Sequence, residues 1–446
     1  MQQITDTIVA LATAPLQSAL AIIRVSGKDS FDIISKVSTK KIELKGNNGI
    51  IHTKLHEGKQ TIDEVLLFVF KGPHTFTGED LVEISCHGGL VVINQIIALL
   101  IKQGARMAER GEFSERAFYH NKIDLLQAES INDLIVARNK DAANVALNGI
   151  SGELSKQIQQ LKEATVTLLS QIEVNIDYPE YEDIEELTAK TIKPEVAKLI
   201  KQTSIILQGA NIGRTIKNGI NVAIIGKPNV GKSSVLNALI NEDKAIVSEI
   251  EGTTRDVVEG STTIKGITFN FLDTAGIRKD ADYLENIGIH KTLETISKAD
   301  LVVLISANKG QLDEEEQDML KKCAGKKVIV VFNKADLTKL KNGKQLAVSV
   351  KEHDIQPLLD AMTAYVGFDI KNYQNKPLLS NARQKGLIEK AYQNYVDAEK
   401  LCEDQQPADI IEIDIKEALN SLQELLGDLY GDNLSDEIFK RFCLGK

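Results

Sequence analysis

Residues 221–233, NVAIIGKPNVGKS, decide the fold of the chain around them. A short apolar run is followed at once by the pattern G-x-x-x-x-G-K-[ST], and GKSSVLNALI continues as a predicted helix. The glycines allow backbone N–H groups to close around phosphates, the Lys232 ammonium can neutralise the β- and γ-phosphates, and the Ser233 hydroxyl can ligate Mg²⁺. The stretch therefore predicts a strand, a phosphate-binding loop and a helix in succession.

Apolar runs downstream extend the same pattern. ITFNFLD (267–273), LVVLISA (301–307) and KVIVVFNK (327–334) are separated by helix-forming stretches, and the pattern ends near Val366. Buried apolar strands that alternate with helices are typical of a parallel sheet with crossover connections. We predict an α/β domain in this part of the chain.

Three further motifs follow the phosphate loop in the order that a GTPase requires. In DTAG, Asp273 can hold the metal through water and Gly276 can turn its N–H toward the γ-phosphate. GTTRD offers Thr253 or Thr254 as a further Mg²⁺ ligand. In NKAD, the Asp336 carboxylate can accept from N1–H and the 2-amino group of guanine, a pair of donors that adenine lacks. The motifs together predict a GTP-binding domain.

The residue after DTAG leaves the means of hydrolysis open. A Ras-type protein carries a glutamine there to orient the attacking water, whereas this chain carries Ile277. One interpretation is a slow GTPase that merely switches. The other brings in a different polar group, with Glu285, Arg255 and Arg278 as candidates.

The remaining chain divides into an α+β segment and helical segments. Within residues 4–118 the pattern predicts strands at 21–25, 65–70 and 81–85 and helices at 90–102 and 115–120. Spacings of four and three then define one apolar stripe of a long helix: Leu154, Ile158, Leu161, Thr165, Leu168 and Ile172. Residues 378–446 return to helix, broken at Pro407. The α/β domain is therefore predicted to be inserted into a helical domain.

Composition excludes several classes of protein. A length of 446 residues suggests about three domains. The net charge of −10 argues against a protein that coats nucleic acid through a global positive field. The 4 cysteines do not form a disulfide framework or a metal-ligand spacing. No basic residue precedes Arg24 and no apolar run reaches the ~18–20 residues that span a bilayer, so we expect a cytoplasmic protein without a membrane segment.

Several stretches resemble one family over essentially the whole chain: DTIVALATAP, PHTFTGED, HGG, GEFSERAF, NKIDLLQAE, GKPNVGKSS, GTTRD, DTAGIR and FCLGK. Together they are similar to the bacterial tRNA-modification GTPases of the MnmE (TrmE) family, in the TrmE-Era-EngA-YihA-Septin-like superfamily. The resemblance implies a multidomain fold that combines α+β, all-α and α/β parts. An N-terminal folate-binding α+β domain would span 1–118, a split helical domain 119–215 and 371–446, and an inserted Ras-like P-loop G domain 216–370.

The resemblance also implies a chemistry. Family members modify the wobble uridine of certain tRNAs at C5, adding an aminomethyl or carboxymethylaminomethyl group together with an FAD-dependent partner, MnmG. The one-carbon unit comes from a tetrahydrofolate derivative, 5-formyl or 5,10-methylene. The G domains dimerise across the nucleotide, which implies a homodimer, and K⁺ takes the place of an arginine finger.

Matching by motif carries the family's nucleotide site onto this chain. Glu285 matches the water-activating glutamate, which would supply the polar group that Ile277 cannot. The implied metal ligands are Ser233 and Thr254 for Mg²⁺ and Asn229, Ser248, Ile250 and Thr253 for K⁺. The implied GTP-binding set is Asn229, Val230, Gly231, Lys232, Ser233, Ser234, Ser248, Thr253, Thr254, Asp273, Gly276, Asn333, Lys334, Asp336, Ser349 and Lys351.

The same matching implies a folate site and a further thiol. The folate-binding residues would be Arg24, Glu79, Lys122 and Lys446, and Cys443 in FCLGK matches a proposed participant in modification. The chain departs from the family pattern in PLQSALA at 15–21, where the family commonly has a glycine-rich stretch, in Val350 for the usual alanine and in Leu444 for the usual isoleucine.

Two alternatives belong to other functional classes. The first is a ribosome-assembly or RNA-binding regulatory GTPase, but such proteins usually append a compact basic RNA-binding module, which the acidic composition does not favour. The second is a folate-dependent one-carbon enzyme with a vestigial G domain, which the intact nucleotide motifs argue against.

Overall fold

The computed structural model describes residues 6–43, 46–137, 139–177, 188–241, 258–272, 293–308, 310–337, 345–367, 372–373, 376–429, 438–440, 442 and 444–445. The chain forms two compact units. The first comprises Met1–Ile135, Gly149–Ser204 and Gly386–Lys446, and the second comprises Val136–Asn148 and Ile205–Lys385. Each unit contains its own β-sheet, and the domain boundaries expected from the resemblance stay a prediction.

The strands and helices have the following bounds. The strands are β1 (Ile8–Leu11), β2 (Leu20–Ser26), β3 (Asn48–Glu57), β4 (Gln60–Phe70), β5 (Leu81–His87), β6 (Arg106–Met107), β7 (Ile220–Ile225), β8 (Val258–Ile264), β9 (Ile267–Leu272), β10 (Leu301–Ser306) and β11 (Lys327–Phe332). The helices are α1 (Ser30–Val37), α2 (Leu90–Lys102), α3 (Glu112–Tyr119), α4 (Leu125–Val136), α5 (Lys140–Ile150), α6 (Glu153–Asp177), α7 (Ala189–Asn218), α8 (Lys232–Asn241), α9 (Glu314–Lys322), α10 (Gln356–Val366), α11 (Ala382–Glu403) and α12 (Ala408–Leu426).

The first unit is built on a six-stranded sheet in the order β3-β4-β5-β2-β1-β6. Neighbouring strands are antiparallel except β1 and β6, which are parallel. Successive side chains of a strand point to opposite faces, so one face of the sheet buries Ile23, Leu67 and Ile84. Ile34 of α1 and Ile96 of α2 pack into the same cluster, so these two helices cover that face.

The pattern-based predictions for this unit are largely confirmed. The predicted strands lie within β2, β4 and β5, and the helix predicted at 90–102 has the bounds of α2. The helix predicted at 115–120 begins earlier, at Glu112, because Gly111 adopts a left-handed conformation with φ 74° and starts the turn there. The pattern does not predict β1, β3 or β6.

Long helices form the rest of the first unit. All six residues of the predicted apolar stripe are buried along α6, which packs on α12, so the stripe prediction is confirmed. The hydroxyl groups of Thr165 and Tyr395 are 2.6 Å apart and tie α6 to α11. Pro407 is the N-cap of α12, as the predicted break requires.

The second unit contains a five-stranded sheet in the order β11-β10-β7-β9-β8. β11, β10, β7 and β9 are parallel, and β8 pairs antiparallel with β9. All residues of β9 and β10 are buried, as expected for strands covered on both faces. The predicted parallel sheet is confirmed. Its carboxyl edge, where β7 and β11 end, is the edge at which ligands bind in open α/β sheets.

None of the helices in the described ranges is long and apolar enough to cross a membrane.

Candidate functional site

The phosphate loop connects β7 to α8 at the carboxyl edge of the second sheet. Gly226 and Gly231 have φ of 149° and 95°, in the region that favours glycine. A Cβ at Gly226 would lie 2.3 Å from the Ile305 carbonyl oxygen, and a Cβ at Gly231 would lie 2.4 Å from Nδ2 of Asn333. Both positions therefore require glycine for backbone conformation and for space.

Lys232 begins α8, and its ammonium folds back over the loop. Its Nζ donates to the carbonyl oxygens of Gly226 at 2.8 Å and Lys227 at 2.7 Å. Burial lowers the pKa of Lys232, and a bound phosphate would oppose that effect because an opposite charge favours the protonated form. Ser233 and Ser234 are exposed on the first turn of α8, where the backbone N–H groups of a helix can bind an anion.

The NKAD segment is joined directly to the phosphate loop. Asn333 is buried, and its Nδ2 donates to the Val230 carbonyl oxygen at 2.9 Å. The Lys334 ammonium donates to the Asn229 carbonyl oxygen at 3.0 Å. Asn229 and Lys334 both adopt a positive φ, 62° and 61°. The structure thus brings together the predicted phosphate-binding and base-binding segments.

Asp336 follows in a short 3₁₀ helix and is held by the next segment of the chain. The Ser349 hydroxyl donates to Asp336 Oδ1 at 3.1 Å, and Ser349 is itself buried. Val350 packs against the hydrophobic core, so its apolar side chain stabilises this segment, and Lys351 is exposed. A carboxylate held in this way can accept from the two N–H groups of a guanine edge.

Lys227 forms an ion-pair cluster that sequence reasoning missed. Its ammonium lies 2.8 Å from Asp313 Oδ2 and 2.7 Å from Glu315 Oε2, at the start of α9. Asp313 is also the N-cap of α9 and accepts from the Glu316 backbone N–H. The hydrogen bond from Lys227 lowers the pKa of Asp313 to about 2. In the sequence, this ion-pair cluster is indicated only by Lys227 in the phosphate loop and by the acidic run at 313–316.

A second group of predicted site residues lies in the first unit. Arg24 on β2 donates from Nε and Nη2 to Glu83 Oε1 at 2.9 and 2.6 Å, and from Nη1 to the Gly445 carbonyl oxygen at 3.1 Å. Its guanidinium carbon lies 5.9 Å from the Phe76 ring centre and 5.6 Å from that of Phe113. The charge therefore lies within cation–π distance of two aromatic rings.

Glu79 is held on the same side of β2 by two donors. The Ser26 hydroxyl donates to Glu79 Oε2 at 2.7 Å, and Arg116 Nη1 lies 3.1 Å from Glu79 Oε1. Lys122 is exposed, and its Cε lies 3.3 Å from the position that a Cβ on Gly78 would occupy. Glu79 therefore lies in the segment at 76–79, and Arg24 and Lys122 both border that segment.

Arg116, in the GEFSERAF stretch, is a further residue that sequence reasoning missed. Its side chain is fully buried, and its Nη2 donates to Asp6 Oδ1 at 2.8 Å and to Glu112 Oε1 at 2.9 Å. Arg106 also contacts both carboxylates, and its hydrogen bond is the main reason why the pKa of Asp6 is lowered. For Glu112, burial alone would raise the pKa, but hydrogen bonds led by that from Arg106 outweigh it and lower the pKa.

The chain near FCLGK packs against the same region of the first unit. Leu444 forms an isolated bridge with Arg110, and a Cβ at Gly445 would lie 2.3 Å from the Leu11 carbonyl oxygen. Phe439 and Phe442 are buried in one cluster with Leu125.

Several predicted site residues lie outside the described part of the chain. They are Ser248, Ile250, Thr253, Thr254, Arg255, Asp273, Gly276, Ile277, Arg278, Glu285, Cys443 and Lys446.

Comparison with known proteins places the whole chain in one family. The family model for the MnmE helical domain matches residues 125–443, and that for the GTP-binding protein TrmE N-terminus matches residues 7–122. The tRNA modification GTPase MnmE of Ureaplasma parvum serovar 3 is 44% identical over 442 residues, which are 99% of this chain and 100% of that protein. The tRNA modification GTPase MnmE of Ligilactobacillus salivarius is 39% identical over 457 residues, 99% of this chain and 98% of that protein.

Among solved structures, that of an Era variant from Aquifex aeolicus bound to GDP and AlF4⁻ is 25% identical. The match covers 39% of this chain and 66% of that chain, with a TM-score of 0.25. The family models and the full-length relatives show that the chain belongs to the MnmE family of tRNA modification GTPases.

Proposed function

We propose that this chain couples its GTPase activity to modification of tRNA wobble uridines at C5. The observation that carries the GTPase part is the link between Asn333 and Val230, which holds the base-binding and phosphate-binding segments together at one sheet edge. The chain would act with an FAD-dependent partner, MnmG, and would add an aminomethyl or carboxymethylaminomethyl group. Full-length relatives named tRNA modification GTPase support this proposal.

The described residues supply binding and orientation of GTP. The loop amides and Lys232 would hold the β- and γ-phosphates, while Asp336, fixed by Ser349, would select guanine. Glu285 would activate the attacking water, since Ile277 carries no polar group.

The chemistry of the loop fits both metal ions that the family implies. The exposed Ser233 hydroxyl on the first turn of α8 is a hard oxygen donor, which suits Mg²⁺. The exposed Asn229 side chain offers an amide oxygen, which suits K⁺. We propose Thr254 as a further Mg²⁺ ligand and Ser248, Ile250 and Thr253 as further K⁺ ligands. The bound ions would supply positive charge where negative charge develops during hydrolysis.

The groups around the 76–79 segment fit a reduced folate. The N–H edge of a pterin can donate hydrogen bonds to a carboxylate such as Glu79. The pterin ring can also stack on the neighbouring Phe76. Arg24 and the exposed Lys122 are cations that suit the anionic tail of a folate. We propose a 5-formyl or 5,10-methylene tetrahydrofolate as the ligand, with Lys446 contributing and Cys443 taking part in modification. When bound, the folate supplies the one-carbon unit.

We also propose a cytoplasmic homodimer whose G domains meet across the nucleotide. The arrangement would comprise a folate domain at 1–118, a helical domain at 119–215 and 371–446 and a G domain at 216–370. With a net charge of −10, the chain would hold tRNA through local basic groups or through its flavoprotein partner.

Reconstitution from purified components tests the proposal. The chain, the flavoprotein, unmodified tRNA, GTP, K⁺ and 5,10-methylenetetrahydrofolate should together give a wobble nucleoside of increased mass. Leaving out GTP or the folate should each abolish the product. An identical product without folate would contradict the assigned one-carbon source, and no product from the complete mixture would contradict the proposed function.

A further inference from the structure

The surroundings of Glu79 point to a role for a buried arginine. Both carboxylate oxygens of Glu79 have a hydrogen-bond donor: Oε1 lies 3.1 Å from Arg116 Nη1, and Oε2 accepts from the Ser26 hydroxyl at 2.7 Å. The Ser26 hydroxyl is in turn 2.7 Å from that of Thr77. The carboxylate is thus restrained by donors on β2 and on α3.

Arg116 is itself restrained on its other side. Nη2 donates to Asp6 Oδ1 and Glu112 Oε1, and Nη1 also donates to the Asp6 backbone carbonyl oxygen at 2.8 Å. Three carboxylates around one fully buried guanidinium leave it little freedom to rotate. A planar guanidinium held in this way fixes the direction of any carboxylate that pairs with it.

The turn after α3 holds the same segment at a second point. His120 follows α3, and its Nδ1 lies 2.6 Å from the Thr77 carbonyl oxygen. The Lys122 backbone N–H donates to the Ala117 carbonyl oxygen at 2.8 Å, so the backbone of Lys122 is fixed in the same turn. The positions of Glu79 and Lys122 are therefore both set by α3.

We infer that Arg116 is a positioning residue of the N-terminal ligand site: with Ser26 it orients the Glu79 carboxylate toward the N–H edge of a reduced pterin. This inference rests on the proposed folate function. A fixed carboxylate binds a planar donor edge more tightly than a freely rotating carboxylate does. The conformational entropy of the fixed side chain is already lost when the chain folds.

The experiment is a double-mutant cycle measured by calorimetric titration with 5-formyltetrahydrofolate. In the unmodified chain, Ser26→Ala and Arg116→Lys should each weaken binding by about tenfold, as expected for loss of one hydrogen bond to a charged group. In a Glu79→Gln background the same two changes should have almost no further effect, because they act through that carboxylate.

The matched control is Arg106→Lys. Arg106 shares Asp6 and Glu112 with Arg116, but among the described residues it does not contact Glu79, so folate affinity should stay unchanged. Far-UV circular dichroism, measured in parallel, should be unchanged in Ser26→Ala and Arg116→Lys, which would show that the first unit of these variants remains folded.

The outcomes separate this inference from the proposed function. If the unmodified chain fails to bind 5-formyltetrahydrofolate, both the folate proposal and this inference are contradicted. If it binds, but Ser26→Ala and Arg116→Lys bind as tightly, or weaken binding by the same factor with and without Glu79→Gln, only the positioning role is overturned.

Discussion

Asn333 donates from Nδ2 to the carbonyl oxygen of Val230 across 2.9 Å, which joins the NKAD segment to the phosphate loop. The same nitrogen lies 2.4 Å from the position that a Cβ on Gly231 would occupy. The phosphate loop can therefore adopt this conformation beside Asn333 only with glycine at 231.

The first prediction concerns Gly231→Ala. The added methyl group would meet Asn333 and would also sit at φ 95°, so we expect the free energy of unfolding to fall by more than about 1 kcal/mol and GTP affinity to drop at least about tenfold. Chemical denaturation and nucleotide titration measure these two effects.

Gly386→Ala is the matched control for this change. Gly386 lies within α11, and a Cβ there meets nothing within 4 Å, so alanine should raise the free energy of unfolding by up to about 1 kcal/mol. Equal effects of the two substitutions would contradict the assigned loop geometry.

Asp336→Asn should change the base that the site prefers. The Ser349 hydroxyl can still donate to the side-chain oxygen at 336, but the amide nitrogen would now donate where guanine also donates. GTP affinity should fall about a hundredfold or more, and xanthosine triphosphate should bind better than GTP. Competition against labelled GDP measures this preference, and an unchanged preference for GTP would refute the role of Asp336.

Potassium should stimulate hydrolysis through Asn229. We expect the GTPase rate to rise at least about tenfold when K⁺ replaces Na⁺ at constant ionic strength, because fixed positive charge stabilises the transition state. Asn229→Ala should remove the rise, whereas alanine at the exposed Asn237 of α8 should keep it. Equal rates in the two salts would rule out the proposed K⁺ site.

The cysteine thiols of the described residues should be slow to react. Burial raises the pKa of Cys86 and Cys402 to about 11, and it also raises that of Cys323. Only the thiolate is nucleophilic, so at pH 8 about one in a thousand of the first two thiols is reactive, and the rate should rise with pH toward 11. Peptide mapping after native alkylation at pH 8 should find Cys86, Cys323 and Cys402 largely unlabelled.

Denatured protein is the control for the alkylation experiment, because there all 4 cysteines should react. Labelling of native Cys86 as fast as in the denatured chain would contradict the buried environment.

The sequence-based predictions that the structure confirms rest on local patterns of neighbouring residues. A phosphate loop and the strands around it consist of neighbours in sequence, so glycine spacing and apolar runs were sufficient to predict them. Arg116 was not predictable in this way, because its partners Glu79 and Asp6 lie 37 and 110 residues away. The contact of Lys227 with Asp313 is likewise long-range.

The most direct test of the central claim is mass spectrometry of tRNA wobble nucleosides. A bacterial strain that lacks its own copy of this GTPase should accumulate unmodified wobble uridine, and expression of this chain should restore the C5 modification. Glu285→Ala, expressed at the same level, should not restore it. Normal wobble nucleosides in the deletion strain, accompanied by an imbalance of ribosomal subunits, would contradict the account and favour a ribosome-assembly GTPase.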